Sequence, residues 1–226
     1  MTPPLCIDLF CGLGGWTDGF LAEGWRVIGF DIVRYDGYPG QLVLQDVSTL
    51  HGAQFRGADM IVASPPCESY SYRGMPWKRA KALPPPDNTL FEAPFRIRLE
   101  ASAASGRAIP LVVENVRSAQ PWVGRARWHY GSFYLWGDLP ALMPRPSGQK
   151  GVGPWFGPAE KRGDPREASH YSLRSEAIKQ HGSGAAWFDA GFTRFSSRSA
   201  RRKAATAHIA KIPLGLAEHI ARVYKP

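Results

Sequence analysis

The feature that most constrains the fold is a set of short apolar runs, each of which stops at a residue able to do chemistry. Residues 5–10 (LCIDLF) enter the glycine-rich turn 11–15, and residues 26–30 (RVIGF) end at Asp31. Residues 41–44 stop just before Asp46, residues 60–63 (MIVA) end in Ser64-Pro65-Pro66-Cys67, and residues 111–113 end in Glu114-Asn115. Runs this short and this apolar read as strands, and the helical spacing of residues 16–23 and 91–105 between them implies parallel pairing in an α/β sheet. Ligands of such open sheets bind beyond the carboxyl ends of the strands. The residues with chemical potential therefore converge on one edge.

The rest of the chain sets limits. A length of 226 residues suits one domain with a small appended lobe, and 44% hydrophobic against 21% charged residues is the balance of a packed globular core. No apolar run reaches the length of about 18 residues that a membrane helix needs, and the start MTPPLCIDLF lacks the basic flank of a signal peptide. The three cysteines, Cys6, Cys11 and Cys67, form no C-x-x-C pair, which argues against a disulfide framework or a cysteine-rich zinc site and for a reducing cytoplasm. Charge is uneven. Residues 1–144 hold 13 Lys+Arg and 13 Asp+Glu, whereas residues 145–226 hold 15 and 6. A basic last third suggests contact with a polyanion, nucleic acid first among them, or else a solvated basic surface. Expected boundaries are an α/β domain over 1–137, a small irregular basic lobe over 138–203, and a C-terminal helix over 204–226 that packs back on the sheet through Ile209, Ile212, Leu216, Ile220 and Val223.

Four elements carry candidate chemistry. In Asp8–Gly15 a strand gives way to a helix through three glycines, which let a ligand approach the backbone and aim helix N–H groups at an anion, or serve only a tight turn. Asp31 is placed to accept from ribose hydroxyls and Asp46 from an adenine amino group, each with the alternative of a turn or cap role. Two prolines fix the direction of Cys67, whose thiol at a strand exit is expected to have a lowered pKa if helix N-termini and basic groups lie near, or to be a buried structural cysteine like Cys6. Glu114 follows a fully apolar strand, where partial burial would let it hold a proton; the alternative is a helix-capping acid. A nucleophile and an acid beside a nucleoside pocket is the combined expectation.

The runs Asp8–Gly15 (D-L-F-x-G-x-G-G), Pro65–Ser71 (P-P-C-x-x-x-S) and Glu114–Val116 (E-N-V), in this order, resemble the hallmarks of the DNA cytosine-C5 methyltransferase family over about residues 5–137. The resemblance implies a doubly wound, mostly parallel Rossmann-like sheet of the S-adenosylmethionine-dependent type. The cofactor would lie across Phe10, Gly12, Leu13, Gly14, Gly15, Trp16, Asp31, Ile32, Asp46 and Val47, with Pro65 walling the adenine. The Cys67 thiolate would add to C6 of a flipped cytosine while Glu114 protonates N3, on double-stranded DNA, in a monomer needing neither metal nor membrane. The segment 70–88, with Arg73, Lys78, Arg79 and Lys81, looks like the family's mobile catalytic loop, where Ser69 and Arg73 would meet DNA. Arg198, Arg201, Arg202 and Lys203 would meet phosphates. The stretch 124–127 is the nearest match to the family's Q-x-R-x-R run and makes Arg125 and Arg127 catalytic candidates, with glycine in place of the glutamine.

There are departures from the pattern. Glu68 stands in place of the usual glutamine, Ile32 stands where an aromatic often stacks on adenine, and no G-N-S turn is evident. Only about 70 residues separate the arginines from the terminal helix, a compact ending similar to that of short phage-encoded relatives. Trp155, Trp187, Phe188, Phe192 and Phe195 would form a minimal core for this lobe, and a short target site is expected. The same runs would serve an RNA cytosine-C5 methyltransferase acting on tRNA, an enzyme using a modified sulfonium donor, or a silent DNA-binding relative.

Overall fold

The computed structural model describes residues 2–73, 82–144 and 210–226. Its centre is a seven-stranded sheet of order β3-β2-β1-β4-β5-β7-β6. These are β1 (Leu5–Leu9), β2 (Arg26–Asp31), β3 (Gln41–Leu44), β4 (Met60–Ala63), β5 (Leu111–Asn115), β6 (Trp128–Tyr130) and β7 (Phe133–Gly137). The first five pair in parallel, and β7 runs antiparallel between β5 and β6. Strand order reverses between β1 and β4, which is the switch point where open sheets of this kind hold their ligands. Among the described residues the helices are α1 (Gly15–Ala22), α2 (Glu68–Arg73), α3 (Thr89–Ser105), α4 (Gln120–Val123) and α5 (Leu214–Tyr224). The fold is an α/β fold of Rossmann-like type.

Local sequence explains these elements. All four residues of β4 are buried, as an uninterrupted MIVA run in a central parallel strand must be. The register Ala63↔Val113 sets the ends of β4 and β5 side by side, so the Pro65-Pro66-Cys67 turn and Glu114 leave the sheet at the same edge. Helix α1 ends before Gly24, whose φ of +76 suits a residue without a Cβ. Its outer face takes α5. A Cβ on Gly19 would overlap that of Ala217, and the Trp25 indole donates to the Ala221 carbonyl at 3.1 Å. Leu216 and Ile220 of α5 are buried, whereas Val223 is exposed. The described helix starts at Leu214, after Pro213, and Ile209 lies outside the described residues. Strand β6 has no apolar run to reveal it. Trp128 and His129 are exposed, and its place is set by pairing with β7.

Candidate active site

The expected cofactor side is built by the turn between β1 and α1. Positive φ values recur at alternate residues, Phe10 (+55), Gly12 (+50) and Gly14 (+73), while Cys11 and Leu13 between them keep negative φ. Such alternation curls the backbone so that N–H groups point inward and meet those of the α1 start. The two glycines do different jobs. A Cβ on Gly12 would meet nothing within 4 Å, whereas one on Gly14 would sit 2.6 Å from Pro39 Cδ. Gly12 leaves space open; Gly14 is filled by the protein itself. The Gly12 N–H donates to Asp31 Oδ2 at 3.0 Å and the Val33 N–H to Oδ1 at 2.9 Å, so two backbone donors aim the Asp31 carboxylate and leave further lone pairs for hydroxyl donors. Ile32 is 72% exposed, with Val33 and Leu44 exposed beside the same strand ends. An acid anchored at a strand exit, an open glycine, a helix N-terminus and an apolar shelf fit S-adenosylmethionine.

Three of the expected cofactor contacts have partners within the protein. Trp16 is only 2% exposed, and its indole N–H donates to Ser64 Oγ at 3.1 Å. It ties α1 to the turn that carries Cys67 and shows no face to a ligand. The Val47 side chain belongs to the hydrophobic core, because the short helical turn Val47–Thr49 points it inward. Asp46 caps that turn, with Oδ1 accepting from the Ser48 N–H at 2.9 Å. Phe10 and Leu13 are half-buried, and Gly15 opens α1.

The expected reacting side is held by Asn115, a residue with no role assigned from sequence. It is 1% exposed; its Nδ2 donates to the Pro65 carbonyl at 2.9 Å and its Oδ1 accepts from the Val116 N–H at 2.8 Å. The end of β5 thereby clasps the turn before Cys67. The Cys67 carbonyl accepts from the N–H groups of Tyr70 and Ser71 and so opens α2. Its side chain is half-buried. Burial pushes the Cys67 thiol up; the Ser71 hydroxyl, hydrogen-bonded to it, works the other way, and the carboxylates of Glu114 and Glu68 add to the rise. The expectation of a lowered pKa is therefore corrected: burial first, and then the carboxylates of Glu114 and Glu68, disfavour the thiolate. Glu114 itself is half-buried and lies opposite Leu135 of β7. Ser71 stood in the motif without an assigned role; a hydroxyl one helical turn beyond the cysteine was the available signal.

The arginine pair lies just ahead of β6. Arg127 is exposed, and its guanidinium donates to the Gly137 carbonyl at 3.1 Å. Gly137 lies opposite Val112, two residues before Glu114 and toward the amino end of β5, so Arg127 braces its own hairpin. Arg125 is exposed ahead of β6. Ser69 is exposed on α2, and Arg73 ends that helix. The ends of the segment 70–88 are joined, Tyr70 Oη donating to Asn88 Oδ1 at 2.8 Å. Lys78, Arg79, Lys81, Arg198, Arg201, Arg202, Lys203 and the aromatic residues 155–195 lie outside the described residues. Among the described residues no group of three His, Cys, Asp or Glu is placed to hold a metal ion, and no helix is long and apolar enough to cross a membrane.

Sheet order and the open strand exits together define an α/β protein of Rossmann-like fold. The family is narrower: residues 5–119, just over half of the chain, match the model of C-5 cytosine-specific DNA methylase, and the chain belongs to that family. No curated protein matches. Among solved structures it is similar to a prophage-encoded E. coli protein described as a DNA modification methyltransferase (23% identity, 51% of this chain and 33% of that one, TM-score 0.38). It is also similar to S. pombe Dnmt2 (15%, 54% and 37%, TM-score 0.38) and Spodoptera frugiperda DNMT2 (18%, 53% and 38%, TM-score 0.36). The chain thus spans between a third and two-fifths of the length of these relatives.

Proposed function

We propose that this chain is a DNA cytosine-C5 methyltransferase that works through a covalent adduct between Cys67 and C6 of the target base. The observation that carries the reading is the clasp of adjacent strand ends. Asn115 fixes the Pro65–Cys67 turn of β4 against the end of β5, one residue after Glu114, beside the open turn at Gly12. A nucleophile and a carboxyl group acting on one flat base need this adjacency.

Cytosine C5 is a weak nucleophile. Cys67 gives its proton to solvent and its sulfur adds to C6, which pushes ring electrons toward N3, where the Glu114 carboxyl supplies a proton. Gly12, Gly15, Asp31 and Ile32 would hold S-adenosylmethionine, which would supply an electrophilic methyl group to the activated C5 and leave as the neutral thioether. Transfer of the C5 proton to solvent, expulsion of the Cys67 thiolate and return of the N3 proton to Glu114 then restore the aromatic ring. Ser71 hydrogen-bonds the sulfur, stabilising it as it carries charge. A base inside a duplex cannot reach Cys67, so the substrate must be flipped out. Ser69, Arg73 and the basic cluster Arg198, Arg201, Arg202 and Lys203 are the proposed DNA contacts, and the proposed state is a cytoplasmic monomer.

The test is methyl transfer from labelled S-adenosylmethionine to mixed-sequence duplex DNA and, in parallel, to tRNA, with a Cys67→Ala control and nucleoside mass spectrometry. Cys67-dependent 5-methylcytosine in DNA is expected. Labelling of tRNA alone would reassign the substrate. Binding to DNA containing 5-fluorocytosine without a covalent complex would make the protein a binder only.

A further inference from the structure

The connection from β2 to β3, residues 32–40, contains no helix and folds over the cofactor turn. Its anchor is Tyr38. The Tyr38 hydroxyl lies 2.6 Å from Thr17 Oγ1, and the Thr17 hydroxyl donates to Asp8 Oδ2 at 2.7 Å. Each hydroxyl has one proton, so Tyr38 donates to Thr17 when Thr17 donates to Asp8. The Cys11 side chain is hydrogen-bonded to the same phenol. The chain of contacts thus joins the strap to β1, the turn and α1.

The surfaces under the strap are cut to receive it. A Cβ on Gly29 would overlap the Tyr38 hydroxyl and lie 2.5 Å from its Cζ, and one on Gly14 would lie 3.1 Å from Tyr38 Cδ2 as well as against Pro39. One glycine comes from the middle of β2 and the other from the turn. The root of the strap is Asp31, whose carboxylate is held between the Gly12 and Val33 N–H groups. The Val33 bond is the strap's own contribution to aiming that carboxylate. Tyr35, half-buried on the same strap, sits within electrostatic reach of Asp31 and of Glu68, the residue after Cys67.

We propose that Tyr38 is a positioning residue for the cofactor: by latching the 32–40 strap to Thr17 and Cys11 it fixes the Val33 side of the Asp31 carboxylate, and so sets cofactor affinity without taking part in the transfer. This rests on reading the turn 10–16 and Asp31 as the cofactor site. Tyr38→Phe keeps the ring between Gly14 and Gly29 and removes only the hydroxyl. The experiment is calorimetric titration of the full-length protein and of Tyr38→Phe with S-adenosylmethionine, together with the unfolding temperature of each without ligand and kcat at saturating cofactor. Losing one such hydrogen bond should weaken binding about two- to tenfold. KM for the cofactor should rise in step, with kcat within about twofold and the ligand-free unfolding temperature nearly unmoved. Gly29→Ala, which keeps the tyrosine but drives its ring and hydroxyl off their seat, should weaken binding at least as much. Unchanged affinity in Tyr38→Phe, or a loss confined to kcat, overturns the proposal. No binding by the unsubstituted protein overturns the reading of the site and the proposal with it.

Discussion

Asp8 is the group whose replacement would report most directly on the energetics of this fold. It lies on β1 with no exposure; Oδ2 accepts from Thr17, and Oδ1 has no hydrogen-bond partner. Burial pushes its carboxyl up to about 7; hydrogen bonds from Thr17 oppose the rise, and the charges of Asp31 and Asp18 add to it. In the unfolded chain the same group titrates near 3.9. Between these values the native state holds a proton that the unfolded state has lost, so Asp8 makes stability fall as pH rises from about 4 to about 7 and has no further effect above that range. Between pH 5 and pH 8 the loss integrates to about 2.5 kcal/mol. Asp8→Asn keeps the shape and the acceptor for Thr17 but cannot ionise. Its amide N–H₂ at the orphaned position costs about 1–3 kcal/mol, an offset that does not vary with pH. Urea unfolding of both proteins at pH 5, 6, 7 and 8 separates the two effects. The stability of Asp8→Asn relative to the parent should rise by about 2–3 kcal/mol across this series. Parallel pH curves for the two proteins would refute the argument that burial holds this carboxyl protonated.

Cys67 should behave as a thiol with a raised pKa. Its alkylation by iodoacetamide, followed by intact-mass spectrometry, should speed up about tenfold per unit between pH 6.5 and 8.5. Glu114→Gln should accelerate alkylation at fixed pH, and Ser71→Ala should slow it; the opposite order would mean that other groups control the thiol. Asn115→Ala strips partners from the Pro65 carbonyl and the Val116 N–H. A stability loss of about 2–3 kcal/mol is expected in urea unfolding, with methyl transfer falling further than the folded fraction because the Cys67 turn is released; equal losses would limit Asn115 to stability. DNA binding should weaken steeply with salt, and replacing Arg198, Arg201, Arg202 and Lys203 together by Ala should reduce the slope of log K against log salt by up to about 3.6. An unchanged slope would remove that cluster from the interface.

The strand exits were legible because parallel strands buried on both faces leave short apolar runs, and because ligands of open sheets gather where those runs end. That logic placed Asp31, Cys67 and Glu114 at one edge, since Asp31 and Glu114 stand at the carboxyl ends of β2 and β5 and Cys67 follows β4 within a few residues. What depends on a distant partner was not legible. Trp16 follows the glycine turn directly, yet its surroundings are set by Ser64, 48 residues away. Arg127 sits in a run that suggests a substrate contact, yet the antiparallel hairpin turns it to the Gly137 carbonyl. The rise in the Cys67 pKa sums burial with the carboxylates of two elements, none of which is visible in the P-P-C turn.

The glycines show the limit most clearly. A glycine in a turn declares that a Cβ would be in the way, or that φ must be positive; it does not declare what stands in the space. Gly12 and Gly14 occupy equivalent places in one motif and share a left-handed backbone. At Gly12 the space is open, as a ligand site requires, and at Gly14 it is taken by Pro39. Gly29, in mid-strand, reads from sequence as a weak point of β2, yet it is the seat of the Tyr38 ring. The three residues look alike in sequence because the pressure on each is the same exclusion of a side chain. They part only when the strap that fills two of the three spaces is folded into place, and that strap has no regular secondary structure by which a sequence pattern could announce it.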